Sequence, residues 1–93
     1  MGEMKHLSQT TQFGKDLKKM RKRGKTLTTL KTVVSDLAKG KILDQKFRDH
    51  SLTGRWKNCR DCHIEPDWVL IYSVDKHSLR LERTGTHSDL FKK

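Results

Sequence analysis

The chain has 93 residues, of which 32% are hydrophobic, and it carries a formal net charge of +10 with a pI near 10.0. This length excludes a second core, so we expect a single domain spanning residues 1–93 with a small hydrophobic interior. The excess of Lys and Arg is typical of proteins that bind nucleic acid. No apolar run approaches the ~18 residues that a membrane span requires, and no apolar N-terminal segment resembles a secretory signal. The cytoplasm is therefore the expected location.

The first half of the chain is predicted to be helical. Residues 4–8 are expected to form a short strand, and apolar residues then recur at the spacing of an amphipathic helix that ends at Gly24. A second helix with the same kind of spacing is expected to end at Gly40. The apolar residues of the two helices are Phe13, Leu17 and Met20, then Leu27, Leu30, Val33, Val34 and Leu37. Two short helices joined by a glycine turn form a helical hairpin.

The second half is predicted to form strands. Residues 41–57 read as irregular, and residues 58–64 as a strand that ends at the turn Pro66-Asp67. Residues 68–72 are continuously apolar and aromatic, which is the clearest strand signal of the chain. Residues 78–84 alternate apolar and charged side chains, and residues 87–91 are expected to form a helical turn. Helices followed by strands indicate an α+β domain with an antiparallel sheet of about three strands besides the first.

The sequence Cys59-Arg60-Asp61-Cys62-His63 has the pattern of a c-type haem attachment site. That chemistry requires export, for which no signal is seen. A zinc site would need a second pair of ligands, which the chain does not offer at the usual spacing. Two reduced thiols in a half-buried strand are the simpler interpretation, because residues three apart in a strand point to opposite faces.

The first half of the chain, which includes the first helix, carries most of the unbalanced charge. Residues 1–48 hold 13 Lys and Arg against 4 Asp and Glu, whereas residues 49–93 hold 8 against 7. Asp16 is the only acidic residue between positions 15 and 25, so ion pairs within the helix leave most of the helix's positive charge unneutralised. We expect this surface to bind RNA phosphates or an acidic partner, although a merely solvated face has the same pattern. The RNA-binding candidates are Lys15, Lys18, Lys19, Arg21, Lys22 and Arg23.

The second half contains the residue types needed to cleave RNA through its 2′-hydroxyl without a metal. Such a reaction requires a base for the 2′-hydroxyl, a cation on the phosphate and an acid for the leaving 5′-oxygen. Histidine suits both proton transfers, and arginine binds two phosphate oxygens at once. The catalytic candidates are His50, His63, Asp67, Arg83 and His87. Trp68 and Phe91 are candidates for stacking on bases, although aromatic residues are more often part of the core.

The same half resembles the YafQ family of bacterial toxins, which belongs to the RelE/ParE group. The resemblance covers most of residues 49–91, and the run from Glu82 to His87 is its most specific part. It rests on Asp49-His50, Gly54, Trp56-Lys57, Arg60-Asp61, His63, Glu65-Pro66-Asp67-Trp68, Leu70-Ile71-Tyr72, Glu82-Arg83-Thr84-Gly85-Thr86-His87 and Leu90-Phe91. The first half is similar to the family only in character, as a short strand and two basic helices.

The resemblance implies a compact RelE-like α+β domain and a toxin that cleaves mRNA on the ribosome, inhibiting translation without any cofactor. It also implies silencing by an antitoxin of the DinJ type, whose other end binds DNA. The family's functional positions fall on His50, His63, Asp67, Trp68, Arg83, His87 and Phe91, all of which are present.

Within that set, His87 is the expected general acid and Arg83 the expected phosphate ligand. The base stays open between Asp67, His50 and His63, and Asp67 could instead orient a histidine. Three alternatives also stay open: a non-enzymatic module that binds nucleic acid or a partner, a gyrase inhibitor like the ParE toxins, and a metalloprotein that uses Cys59, Cys62 and His63.

Overall fold

Both predicted helices form where the apolar spacing places them. In the computed structural model, which describes residues 4–91, helix α1 spans Thr11–Lys22 and α2 spans Thr28–Ala38. Thr10 begins α1 by accepting a hydrogen bond from the backbone N–H of Phe13 at 2.9 Å. Gly24 follows α1 with a φ of +83°, a conformation that glycine adopts without steric cost. The structure therefore describes all but the first three and the last two residues of the domain that was expected over residues 1–93.

The strands form one five-stranded sheet in the order β1-β5-β4-β3-β2. Strands β3, β4 and β5 pair antiparallel, as predicted. The sheet as a whole is mixed rather than antiparallel, because β1 pairs parallel with β5. A parallel pairing requires a long crossover, which the helices and the strands after them provide. The strand bounds are β1 His6–Gln9, β2 His50–Ser51, β3 Arg60–Glu65, β4 Trp68–Val74 and β5 Ser78–Gly85.

The segment predicted as irregular, residues 41–57, has more structure than expected. It contains two short 3-10 turns, Gln45–Phe47 and Gly54–Trp56, and the two-residue strand β2 between them. The short helix predicted near the end of the chain is α3, His87–Phe91. No helix within residues 4–91 is long and apolar enough to cross a membrane.

The two faces of the sheet are covered unequally. Helices α1 and α2 pack on one face, where Phe13, Met20 and Leu30 join the apolar side chains of the strands in the main core. On the opposite face, a smaller apolar cluster forms around Val69, Ile71 and Leu90 of α3. We call this second side the open face, because α3 and part of the 50–60 segment are the only parts of residues 4–91 that cover it.

A β-bulge in β5 decides which side Arg83 faces. Ile71 pairs with Arg83, but the next residue, Tyr72, pairs with Leu81, so Glu82 is an extra residue in β5. Simple alternation from Leu81 would place Arg83 among the core side chains beneath the helices. With the bulge, Arg83 shares the side of Ile71, on the open face.

Candidate functional site

Strand alternation gathers the histidines of the second half on the open face. Cys62 and Ile64 of β3 point into the main core, so Asp61 and His63 point to the other side. His50 lies directly across from Asp61 in the pairing of β2 with β3. His87 begins α3, which lies on the same face. With Arg83, four of the five predicted catalytic residues therefore share one surface, which the sequence alone did not place together.

His87 is oriented by Asp67, which lies in the turn between β3 and β4. The ring Nδ1 of His87 donates to Asp67 Oδ1 at 2.8 Å, and the backbone N–H of His87 donates to the same oxygen at 3.1 Å. These hydrogen bonds from His87 lower the pKa of the Asp67 carboxyl below its usual value. Asp67 is therefore an ionised partner for the imidazole, and its Nδ1 contact leaves Nε2 of His87 turned away from it. This arrangement favours the orienting role for Asp67 over the role of base.

His63 lies beside His87, and its ring nitrogens have no hydrogen-bond partner among the described residues. The centroids of the two imidazoles are 5.1 Å apart, and the rings are inclined by 56°. The side chain of His63 is half-buried and makes no hydrogen bond with any residue between positions 4 and 91. Two histidines at this separation can serve opposite ends of one phosphodiester bond.

Both ring nitrogens of His50 lie close to oxygen atoms, but only Nδ1 makes a hydrogen bond. Its Nδ1 lies 2.7 Å from the backbone carbonyl of Arg48, which only accepts, so Nδ1 carries a hydrogen. Its Nε2 lies 2.9 Å from Asp61 Oδ1, although the contact lacks the geometry of a hydrogen bond. The nitrogen with which His50 could accept a proton is thus occupied by a carboxylate. His63 is the freer of the two candidate bases.

Asp61 is the member of this site whose role the sequence did not indicate. It is 3% exposed, and its Oδ1 accepts no hydrogen bond from the described residues. Burial raises its pKa above the usual value, opposed by the nearby charges of His50, His63 and His87. In the sequence, Asp61 stands out only because it follows Arg60 in the stretch that resembles the YafQ family. A strand with Asp61 between Arg60 and Cys62 has no pattern that would single this residue out.

Arg83 is bound to a buried carboxylate on α1. Its Nε and Nη2 donate to Asp16 at 2.7 and 3.1 Å, and Asp16 also accepts from the backbone N–H of Thr84 at 3.2 Å. The hydrogen bond to Asp16 raises the pKa of Arg83 above its usual value. Because Asp16 uses the Nε side of the guanidinium, the Nη1 edge stays available for a phosphate. The partnership of Asp16 with Arg83 was not expected from the basic helix that surrounds it.

Trp68 does not have the exposure that base stacking requires. It is 1% exposed, lies in the main core, and donates its indole N–H to Thr84 Oγ1 at 2.8 Å. The expectation that Trp68 contacts nucleotides directly is therefore at odds with its position, because no ring face reaches the surface. Phe91 fits its expected role better: it is 37% exposed, and its ring centroid lies 6.0 Å from that of His87.

The predicted RNA-binding residues of α1 divide into two groups. Arg23 donates to both oxygens of Asp89 on α3 at 2.7 and 3.2 Å, and Lys19 lies 3.4 Å from the same carboxylate. These two cations thus join α1 to the helix that carries His87. The other four are exposed and form no ion pair with a residue of the described range: Lys15, Lys18, Arg21 and Lys22.

The two cysteines lie on opposite sides of the sheet region, as their spacing predicted. Cys62 is fully buried in the main core, whereas Cys59 contacts the smaller cluster. Burial raises the pKa of both thiols, and that of Cys62 reaches about 12. Within residues 4–91, no three His, Cys, Asp or Glu side chains have the arrangement of a metal site. The structure therefore does not support a shared metal at Cys59, Cys62 and His63.

Known proteins resemble this chain over nearly its whole length. Residues 5–92 match a family model described as a bacterial toxin of type II toxin–antitoxin systems, YafQ. The chain is 46% identical over 81 residues to the mRNA interferase toxin YafQ of Escherichia coli (strain K12), covering 86% of this chain and 88% of that protein.

Solved structures agree with this match. The chain has a TM-score of 0.89 and 41% identity to a chain of the E. coli DinJ–YafQ toxin–antitoxin complex, covering 96% of this chain and 99% of that one. It has a TM-score of 0.88 and 40% identity to a metal-bound toxin from Helicobacter pylori, covering 95% of this chain and 100% of that one.

Proposed function

Because the chain belongs to the YafQ family of bacterial toxins of type II toxin–antitoxin systems, we propose that it is an endoribonuclease that cleaves mRNA. Family membership confirms the resemblance found in residues 49–91. The observation that carries the proposed chemistry is the pair of adjacent imidazoles, His63 and His87, one of which is held by an ionised carboxylate. Their residue types and separation match the two proton transfers of 2′-hydroxyl cleavage.

In the proposed reaction, His63 removes the proton of the 2′-hydroxyl, and the resulting oxygen attacks the adjacent phosphorus. The bond from phosphorus to the 5′-oxygen breaks, and His87 donates a proton from Nε2 to that oxygen. The products are a 2′,3′-cyclic phosphate and a 5′-hydroxyl. Asp67 fixes the direction of the His87 Nε2, since Nδ1–H donates to the carboxylate.

Arg83 is the proposed ligand of the scissile phosphate, whose negative charge grows in the transition state. Asp16 holds one side of the guanidinium, so the arginine needs little reorganisation when the phosphate arrives. His50 lies between the carbonyl of Arg48 and the carboxylate of Asp61, so its ring is less free than that of His63 to accept the proton of the 2′-hydroxyl. Phe91 stacks on a nucleotide next to His87.

Cleavage of mRNA bound to the ribosome accounts best for the basic surface of α1. Ribosomal RNA presents a dense array of phosphates, and the four exposed cations of α1 have no competing ion pair among the described residues. Binding of this kind is strongly salt-dependent. Because mRNA and ribosomes are cytoplasmic, the cytoplasm is the proposed location of the protein. A DinJ-like antitoxin is the proposed inhibitor, by analogy with the E. coli complex.

The test is inducible expression in a bacterium of the parent, His87→Ala and His77→Ala, with growth and mRNA 5′-ends measured together. His77 is an exposed histidine in the β4–β5 turn and serves as the matched control. The parent and His77→Ala should arrest growth and produce mRNA fragments with 5′-hydroxyl ends. His87→Ala should reduce cleavage by about 10²- to 10⁴-fold, the usual contribution of a general acid.

Two outcomes would contradict the proposal. Equal cleavage by His87→Ala and the parent would remove His87 from the mechanism. Growth arrest with DNA breaks and intact mRNA would favour gyrase inhibition instead. The metal-free mechanism has a separate test, in which the purified protein is treated with a chelator that is then removed before ribosomes in Mg²⁺ buffer are added. Cleavage should be unchanged, and a loss of cleavage that only an added transition metal restores would overturn the metal-free mechanism.

A further inference from the structure

A cleft of about 550 Å³ opens beside His63, and its lining includes no residue of α3. One wall is the 3-10 turn Gln45–Phe47 together with Arg48, and the other is the end of β3 with Glu65. Its volume lies within the roughly 300–1,000 Å³ range of small-ligand sites. Neither the sequence pattern nor the proposed mechanism assigns any role to this cleft.

The cleft carries a positive charge that nothing in the described chain neutralises. Lys46 and Arg48 line it, both are exposed, and neither side chain forms a hydrogen bond or an ion pair with any residue from 4 to 91. The carboxylate of Glu65 lies in an ion pair with Lys25 at 2.7 Å, so its charge is already offset. Two free cations within one concave surface favour an anionic ligand.

The cleft also presents an aromatic ring to solvent. Phe47 is only partly buried against the main core, and the Nζ of Lys46 lies 5.2 Å from its ring centroid. Because an exposed ammonium covers that ring face, the face is turned to solvent and not to the core. An aromatic face flanked by cations is the combination that binds single-stranded nucleic acid.

The backbone connects this cleft to the reactive centre. Arg48 adopts a φ of +49°, which turns its carbonyl toward His50 Nδ1 at 2.7 Å. Asp44 fixes the beginning of the same turn by accepting from the backbone N–H of Lys46 at 2.9 Å. Arg48 therefore lines the cleft and also binds His50 of the candidate site, and His63 belongs to both the cleft and the site.

We propose that the cleft is a nucleotide subsite for single-stranded RNA, which rests on the proposed function of the neighbouring histidines. The Lys46 ammonium, which covers the solvent-facing ring of Phe47 in the free protein, moves aside toward a backbone phosphate. The base of a nucleotide next to the cleaved bond takes its place on that face. A backbone phosphate lies between Lys46 and Arg48. The subsite thus selects and positions the RNA on one side of His63, while Phe91 contacts it on the side of His87.

The test is titration of the isotopically labelled full chain with an RNA trinucleotide whose first and central residues are 2′-deoxy, so that neither phosphodiester bond can be cleaved. The ring resonances of Phe47 and His63 should shift together and saturate at one dissociation constant. Phe47→Leu and Lys46→Gln should each weaken binding by about fivefold or more. Lys39→Gln, an equivalent exposed lysine at the far end of α2, should change it by less than about twofold.

A trinucleotide with the same backbone and no bases separates the two contacts. Phe47→Leu should leave its binding unchanged, whereas Lys46→Gln should still weaken it. Because Lys46 is exposed, its substitution keeps the test valid even if Phe47→Leu lowers stability. Shifts confined to His63 and His87, or equal losses in Lys46→Gln and Lys39→Gln, would overturn the subsite.

The failure of this inference is distinguishable from failure of the proposed function. If the parent cleaves mRNA but Phe47 does not respond to the trinucleotide, only the subsite is wrong. If Phe47 responds but His87→Ala cleaves like the parent, the cleft binds RNA and the mechanism is wrong.

Discussion

Replacing Asp16 with Ala would remove the contact that ties Arg83 and strand β5 to helix α1. Asp16 is 6% exposed and accepts from Gln12 Nε2 at 3.0 Å, from Arg83 at 2.7 and 3.1 Å, and from the Thr84 N–H at 3.2 Å. After the substitution, the buried N–H of Thr84 would have no acceptor. Arg83 would lose its counterion.

The magnitude follows from the burial of each group. Breaking a buried ion pair costs ~3–5 kcal/mol, and leaving a buried N–H unpaired costs ~1–3 kcal/mol. The side chain of Arg83 is 24% exposed, so it can regain water and lessen the first cost. We therefore expect a loss of about 3 kcal/mol in the free energy of unfolding, against a total of roughly 5–14 kcal/mol for a domain of this size. The corresponding fall in Tm is about 15 °C.

The assay is equilibrium unfolding in urea, followed by the fluorescence of the tryptophans, of which Trp68 is buried beside Thr84. Asp36→Ala is the matched control, because Asp36 also lies in a helix but its only described ion pair is a surface contact of 3.9 Å with Lys41. It should change the free energy of unfolding by less than about 0.5 kcal/mol. If Asp16→Ala lost less than about 1 kcal/mol relative to Asp36→Ala, the buried pair would not stabilise the domain as argued.

Three further predictions concern other parts of the domain. Trp68→Phe removes the indole hydrogen bond to Thr84 and should lower the free energy of unfolding by about 1–2 kcal/mol, without slowing RNA cleavage by the folded protein. If the folded variant cleaved RNA more slowly than the parent, Trp68 would have the direct role in RNA binding that its burial argues against. Hydrogen bonds from Arg23 and the Thr86 backbone lower the pKa of Asp89, so its stabilising charge is complete above the unfolded pKa of about 3.9 and is lost as the pH falls. The Tm of Asp89→Asn should therefore fall less than that of the parent between about pH 5 and pH 2, and parallel curves would contradict this. At about pH 8, a thiol reagent should modify Cys59 slowly and reach the buried Cys62, whose pKa is about 12, only after unfolding; equal rates would show that Cys62 is accessible.

Several features of the site could be predicted from the sequence. Residue type and family resemblance predict His50, His63, Asp67, Arg83 and His87 as catalytic candidates, because proton transfer and phosphate binding require few kinds of side chain. Their roles stay predictions. The opposite orientations of Cys59 and Cys62 followed from their spacing, which separated them from a shared metal site. The aromatic pair was less predictable. By residue type alone, Trp68 and Phe91 are equally suited to stack on RNA bases, but Trp68 is buried and Phe91 is exposed.

Other features depended on contacts between distant positions. Asp16 and Arg83 are 67 residues apart, and nothing local to either one indicates their pairing. Asp61 belongs to the site because it lies across from His50 of β2, a two-residue strand that no alternation pattern predicted. The cleft beside His63 exists because a 3-10 turn lies against the end of β3.

The sequence by itself determined the local elements and the chemistry available to the protein. Apolar spacing specifies which segments become helices and strands, since each must bury one face, and residue type specifies which groups can transfer protons. The tertiary structure decided which of these groups meet and which are exposed. One extra residue in β5, Glu82, places Arg83 on the face opposite to that expected from Leu81, because cross-strand pairing and not alternation sets its direction. Such placement depends on register and packing, which are properties of the folded sheet and not of any short stretch of the chain.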